Sequence, residues 1–129
     1  MVNILIANNL ASGQIFYNVL DYGANNDGTR KVTHSVKMAI EAASKAGGGT
    51  VYFPAGEYLT GPIHLKSNIT LFIDNGATLK FSDDFEDYLP MVPSRWEGVD
   101  VTNFSPLFYA YEARNISIIG TRFLLTHVK

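Results

Sequence analysis

The chain has 129 residues, 47% of them hydrophobic and 17% charged, with a formal net charge of −2. That size suits one domain with a real core, and the charge excludes a long-range pull on nucleic acid or an anionic membrane, because the ten Lys and Arg are scattered. Cysteine is absent, which removes disulfides, thiolate chemistry and Cys-based zinc sites.

Residues 1–14 read as a leader outside the fold, and residues 15–129 as a single segment. The run Val2-Asn3-Ile4-Leu5-Ile6-Ala7 is apolar, but it lacks a basic start and Asn8-Asn9 interrupts it. A secretory signal has a positive start and a longer apolar stretch, so the sequence assigns no localisation. No window approaches the roughly 18 apolar residues of a membrane span. Ile15 to Leu20 reads as a strand and Asp21 to Gly28 as a turn-rich loop. Thr33 is the expected N-cap of a helix over about 33–46, in which Val32, Val36, Ala39, Ile40 and Ala43 share one face.

Gly47-Gly48-Gly49 stops that helix, because glycine tolerates the left-handed backbone a helix end needs. Thr50–Phe53, Glu57–Thr60, Ile69–Ile73, Thr78–Ser82, Leu107–Tyr111 and Ile116–Ile119 follow as candidate strands. Sharp turns separate the first of these, with no hairpin signature between them. Asn68-Ile69-Thr70-Leu71-Phe72-Ile73 and Asn115-Ile116-Ser117-Ile118-Ile119 are nearly copies, as in a solenoid whose coils bury their apolar sides on their neighbours. Between them, residues 83–106 read as a long excursion. Such excursions commonly wall a binding groove.

Several of these runs stand in one family's order. Asn18-Val19-Leu20-Asp21-Tyr22-Gly23-Ala24 with Asp27-Gly28 is similar to an entry motif. Ala39-Ile40 and Ala46 to Gly56 resemble a capping helix and first coil. Tyr58-Leu59-Thr60-Gly61-Pro62-Ile63-His64-Leu65-Lys66-Ser67-Asn68 is the most specific stretch, and Tyr88-Leu89-Pro90 with Pro93-Ser94-Arg95-Trp96-Glu97-Gly98 resembles exo-acting bacterial members. Together they resemble the N-terminal portion of glycoside hydrolase family 28, the polygalacturonases, within the pectate-lyase-like superfamily. The resemblance implies an all-β, right-handed parallel β-helix, here its first few coils with an N-terminal capping helix. One departure is Arg30-Lys31-Val32, where the family often has Thr-Asp-Asn/Asp; it weakens the expected helix start.

That family implies inverting hydrolysis of α-1,4-galacturonan in pectin, which needs a carboxylic acid for the leaving oxygen and carboxylate help for a water. In the family these groups come from Asn-Thr-Asp and Asp-Asp motifs, with Gly-His-Gly and Arg-Ile-Lys nearby. Asn-Thr-Asp, Gly-His-Gly and Arg-Ile-Lys do not occur here, and the one Asp-Asp pair, Asp83-Asp84, stands before the Tyr-Leu-Pro segment rather than at the family's catalytic place. No residue is therefore assigned a catalytic role, and hydrolysis by this chain alone is not expected. Asp83-Asp84 reads as a solvated acidic turn rather than a catalytic or calcium-binding pair, and His64 as a structural histidine. Arg95, Trp96, Glu97 and Tyr88 are the candidate substrate-binding residues: arginine can pair twice with a uronate carboxylate, and a tryptophan face suits a sugar ring. The structural alternative packs Trp96 beneath the excursion, with Arg95 and Glu97 tying the loop to itself.

The expected partner is pectin-derived polygalacturonate or another acidic oligosaccharide, with no nucleic acid, membrane, metal or cofactor. Two other readings stand beside the hydrolase fragment: an acidic-oligosaccharide binding module, and a structural β-helix cap that assembles with a partner chain. The sequons at Asn68, Asn103 and Asn115 read as structural. Past Gly120 the family pattern is expected to break, Thr121 to Lys129 reading as the tail of a truncated, frameshifted product. A last coil left without a cap would self-associate.

Overall fold

Alternation of branched or aromatic residues with polar ones lays down short strands, and the turns between them return the chain to the same edge. The computed structural model describes residues 15–89, 92–96, 99–103, 107–120 and 123–125. Its elements are β1 (Phe16–Asn18), β2 (Asp27–Lys31), α1 (Thr33–Lys45), β3 (Gly49–Phe53), β4 (Gly56–Thr60), β5 (Ile63–His64), β6 (Ile69–Ile73) and β7 (Ala77–Phe81). They continue with β8 (Val92–Trp96), β9 (Val99–Asn103), β10 (Phe108–Tyr109), β11 (Ser117–Ile119) and β12 (Phe123–Leu125). Single 3-10 turns occupy Val19–Tyr22 and Phe85–Tyr88.

Three parallel sheets run along the molecule in the orders β1-β3-β6-β11, β2-β4-β7-β12 and β5-β10. Each coil gives one strand to each of the two four-stranded sheets, and among the described residues the two middle coils also give one each to β5-β10; this is the parallel β-helix the sequence implied. Gly49 lies beside Ile69, one coil of twenty residues on, whereas Thr70 lies beside Ser117, forty-seven residues on. The surplus in the second coil is the excursion between β7 and β10. It enters and leaves without disturbing the register.

The interior is built from alternate residues. Val51, Phe53, Tyr58, Leu71, Leu79 and Phe81 are fully buried, and Val51 stacks on Leu71 and Tyr58 on Leu79 by register. Each such side chain contributes about 1.5–3 kcal/mol on burial. Helix α1 covers the β1/β3 end with Val36, Ala39, Ile40 and Ala43, all buried as the 3.6-residue spacing expected. On the outside, Phe16 stacks on Tyr52, which tilts against Phe72 at 5.4 Å.

The copied segments meet one above the other. Asn68 (φ 66°) and Asn115 (φ 60°) are left-handed, and Asn115 Nδ2 donates to Asn68 Oδ1 at 2.9 Å. Gly48, φ 125°, holds the same place one coil earlier; a Cβ there would sit 2.6 Å from the Asn68 carbonyl oxygen. Asparagine and glycine are the residues that tolerate this backbone, so both sequons have the structural role expected.

Several sequence expectations are corrected. The first strand stops at Asn18, because the Asn18 side chain accepts from the Leu20 N–H at 2.9 Å and turns Val19–Tyr22 into a 3-10 turn. The loop after it ends in a strand, β2, drawn in by β4. Thr33 is not an N-cap. Val32 takes that place without a side-chain cap bond, and Thr33 Oγ1 accepts from the Gly61 N–H at 2.7 Å. The Gly61 donor, left open where β4 ends, outcompetes the helix for that hydroxyl. Past Gly120, Phe123–Leu125 form β12, parallel to β7 in the register Phe123↔Leu79 to Leu125↔Phe81.

Candidate functional site: the excursion and its root

The excursion leaves β7 at Ser82, whose N–H donates to the Thr60 carbonyl at 2.8 Å. Ser82 Oγ then accepts from the Asp84 N–H, and Asp84 Oδ1 caps the 3-10 turn by accepting from the Glu86 N–H at 3.1 Å. Tyr88 Oη donates to the Ser82 carbonyl, closing a ring of hydrogen bonds around the exit. Lys31 at the end of β2 lies across it, 3.2 Å from Asp84 Oδ2 and 2.7 Å from the buried Asp87 Oδ2. The ammonium compensates that buried oxygen. In return, the bond to Asp87 is the main cause that holds Lys31 above its ordinary pKa, against some loss from burial.

Beyond this root, β8 and β9 form an antiparallel hairpin in the register Val92↔Asn103 to Trp96↔Val99. The sequence reading held no hairpin here. Proline at position 93 argues against an interior strand, and an edge is where one is tolerated. The chain rejoins the coil where the Ile63 N–H donates to the Leu107 carbonyl at 2.8 Å.

The expected binding residues distribute as follows. Arg95 and Trp96 lie on β8, Arg95 in register with Asp100 and Trp96 with Val99; Glu97 lies outside the described residues. Tyr88 is half-buried at the root with its proton committed to Ser82, and burial first, then Asp87 and Asp83, push its pKa up. What Tyr88 can offer a ligand is its ring and an acceptor lone pair.

Asp84 belongs to the exposed acidic turn the sequence expected, but that turn is tied down. Its carboxyl lies below the ordinary carboxylate range, first through the Glu86 N–H and then through Lys31. A general acid needs the opposite shift. His64 lies on β5 with its ring centroid 5.0 Å from that of Tyr109; burial, then the Lys37 charge, lowers its pKa. Neutral imidazole is therefore favoured at neutral pH. Among the described residues, no group of three or more His, Asp or Glu could hold a metal ion, and no described helix is long and apolar enough to cross a membrane.

The coils and excursion have counterparts. A family model described as rhamnogalacturonase A/epimerase, pectate lyase-like, matches residues 16–125. The chain belongs to this family. The pectate-lyase-like match runs past Gly120, in keeping with the register of β12. An exopolygalacturonase from Thermotoga maritima superposes with a TM-score of 0.78 at 47% identity, covering 87% of this chain and 25% of that one. The family 28 exopolygalacturonase of Yersinia enterocolitica gives 0.70 at 30% identity, covering 83% and 20%. Mannuronan C5-epimerase AlgE5 of Azotobacter vinelandii is 37% identical over 98 residues, 68% of this chain and 10% of that protein. The chain thus spans a quarter or less of the length of each of these relatives.

Lys31 is the residue sequence reasoning missed. The sequence offers it as part of the departure Arg30-Lys31-Val32 and as a polar residue beside the helix's apolar face, and its partner Asp84 lies 53 residues away. No local pattern announces such a pair.

Proposed function

We propose that these residues are the opening coils of a polygalacturonase-like hydrolase acting on α-1,4-linked galacturonan with inversion. In this reading they shape and hold the substrate and do not cleave it by themselves. The observation that carries the reading is the match to the Thermotoga maritima exopolygalacturonase over 87% of the chain. The lowered pKa of Asp84 and the absence of the family's Asn-Thr-Asp motif support the lack of cleavage.

Arg95 and Trp96 on the hairpin, Glu97 next to them in sequence, and Tyr88 at the root of the excursion are the residues we assign to substrate contact. The test is reducing-end release from polygalacturonate by the purified 129-residue chain against a buffer blank, with Trp96 fluorescence followed as galacturonate oligomers are added. No release with a saturable fluorescence change is expected. Release that survives repurification would overturn the assignment of a holding role, and Asp83, Asp84 and Glu97 would then be replaced first.

A second reading, a binding module for acidic oligosaccharides, is favoured by one feature. The Lys31–Asp84–Asp87 cluster braces the excursion from within these residues. A binding wall that stands by itself needs such a brace.

A further inference from the structure

The first turns of α1, strand β5 and the root of the excursion enclose an open cleft of about 340 Å³, near the lower end of the range for small-ligand sites. Ile40 and Ile63 in its lining are almost fully buried, and Leu89 at its mouth is 43% exposed. Pro62 completes an apolar wall. The polar lining is asymmetric. Lys37 and Lys66 form no ion pair among the described residues, whereas Asp87 is paired with Lys31, an ammonium it shares with Asp84. Lys37 is close enough to act on His64, which also lines the cleft. Thr33, on the uncapped first turn of α1, adds the positive end of a helix dipole. Against these stands Glu41, with two acceptor oxygens.

We propose that this cleft binds a uronate residue of a short acidic oligosaccharide. A uronate carries one carboxylate, several hydroxyls and a C–H face. The lysine pair takes the carboxylate, Glu41 accepts from a hydroxyl, and Pro62 and Leu89 receive the apolar face. The choice of uronate over another anion rests on the polyuronate reading above and on that apolar wall, which a small, fully hydrated anion does not use. The ligand would lie under the root of the excursion, touching α1 and Asp87's neighbour Leu89 at once. Its occupancy would therefore brace the same root that Lys31 braces.

The experiment is a titration of the isotopically labelled 129-residue chain with trigalacturonate, neutral galactotriose and citrate, read residue by residue in amide spectra. Trigalacturonate is expected to shift Ile40, His64 and Lys66, galactotriose to leave them in place, and citrate to act more weakly. The Lys37→Gln, Lys66→Gln double variant, altered only at exposed positions, is expected to bind at least about tenfold more weakly, as charge-assisted contacts require, with an unchanged melting temperature. Shifts confined to Trp96 and its hairpin would overturn the cleft and leave the excursion's role intact. Cleft shifts without any Trp96 response would uphold the cleft and count against the excursion. Equal response to citrate, or undiminished affinity in the double variant, would overturn the uronate assignment.

Discussion

Asn68 carries two burdens at once, a left-handed backbone and a rung of the asparagine ladder to Asn115. Asn68→Ala should lose both, about 1–2 kcal/mol of backbone strain and about 1 kcal/mol of hydrogen bonding. Asn68→Gly keeps the backbone and loses the ladder and some chain entropy, costing about 1–2 kcal/mol. Urea unfolding of the two variants should therefore rank alanine below glycine; the reverse order would mean the turn is unstrained. Lys31→Met removes both ion pairs at the excursion root. The exposed Asp84 pair contributes about 0.2–1 kcal/mol, and leaving the buried Asp87 Oδ2 without its counter-charge costs about 1–3 kcal/mol, so global stability should fall by about 1–4 kcal/mol. A local sign should accompany it, as easier iodide quenching of Trp96. The asparagines were legible because a left-handed preference is written in the residue itself. Lys31 was not, because its importance lies in Asp84 and Asp87, which only folding brings near.

Helix α1 was legible nearly to its ends. The spacing of Val36, Ala39, Ile40 and Ala43 encodes its buried face, and Gly47 and Gly48 encode its stop. Its start was misread because the Thr33 hydroxyl is spent on the Gly61 N–H, a partner in the next coil. Such a helix holds through packing rather than capping. Ile40→Ala should accordingly cost about 2–5 kcal/mol, within the usual range for a buried aliphatic truncation. Thermal unfolding followed by far-ultraviolet circular dichroism checks this, and a loss below 1 kcal/mol would mean α1 is dispensable to the coils. The β8–β9 hairpin was hidden for a different reason. β8 carries a proline and no alternation, and although Val99-Asp100-Val101-Thr102 in β9 does alternate, a strand becomes legible only with its partner, which the pairing of β8 with β9 supplies.

For the molecule as a whole, the shifted groups imply a stability plateau with a fall on each side. His64 lies below its ordinary 6.5, so on acidification the unfolded chain takes up that proton first and stability declines below about pH 6.5. Asp27, Asp74 and Asp84 lie below 3.8, so a second loss follows as pH falls past that value. On the alkaline side, burial pushes Tyr58 up to about 12, and Lys31 lies above 10.5. The unfolded chain then releases protons first, and stability falls above about pH 10. Melting temperatures across this range should be flat between the limits, and His64→Gln should abolish the first acidic decline. A decline that persists in that variant would assign it to another group.

The sequence by itself determined the parallel coils. Register in a solenoid repeats from one coil to the next, so the copied segments at Asn68 and Asn115, and the alternation within Thr50–Phe53 and Ile69–Ile73, already specify which side faces in. What only the tertiary structure decided is the root of the excursion: the Lys31 brace, the diverted Thr33 hydroxyl, and the cleft between α1, β5 and Leu89. These features join residues tens of positions apart through side chains whose partners no local pattern names.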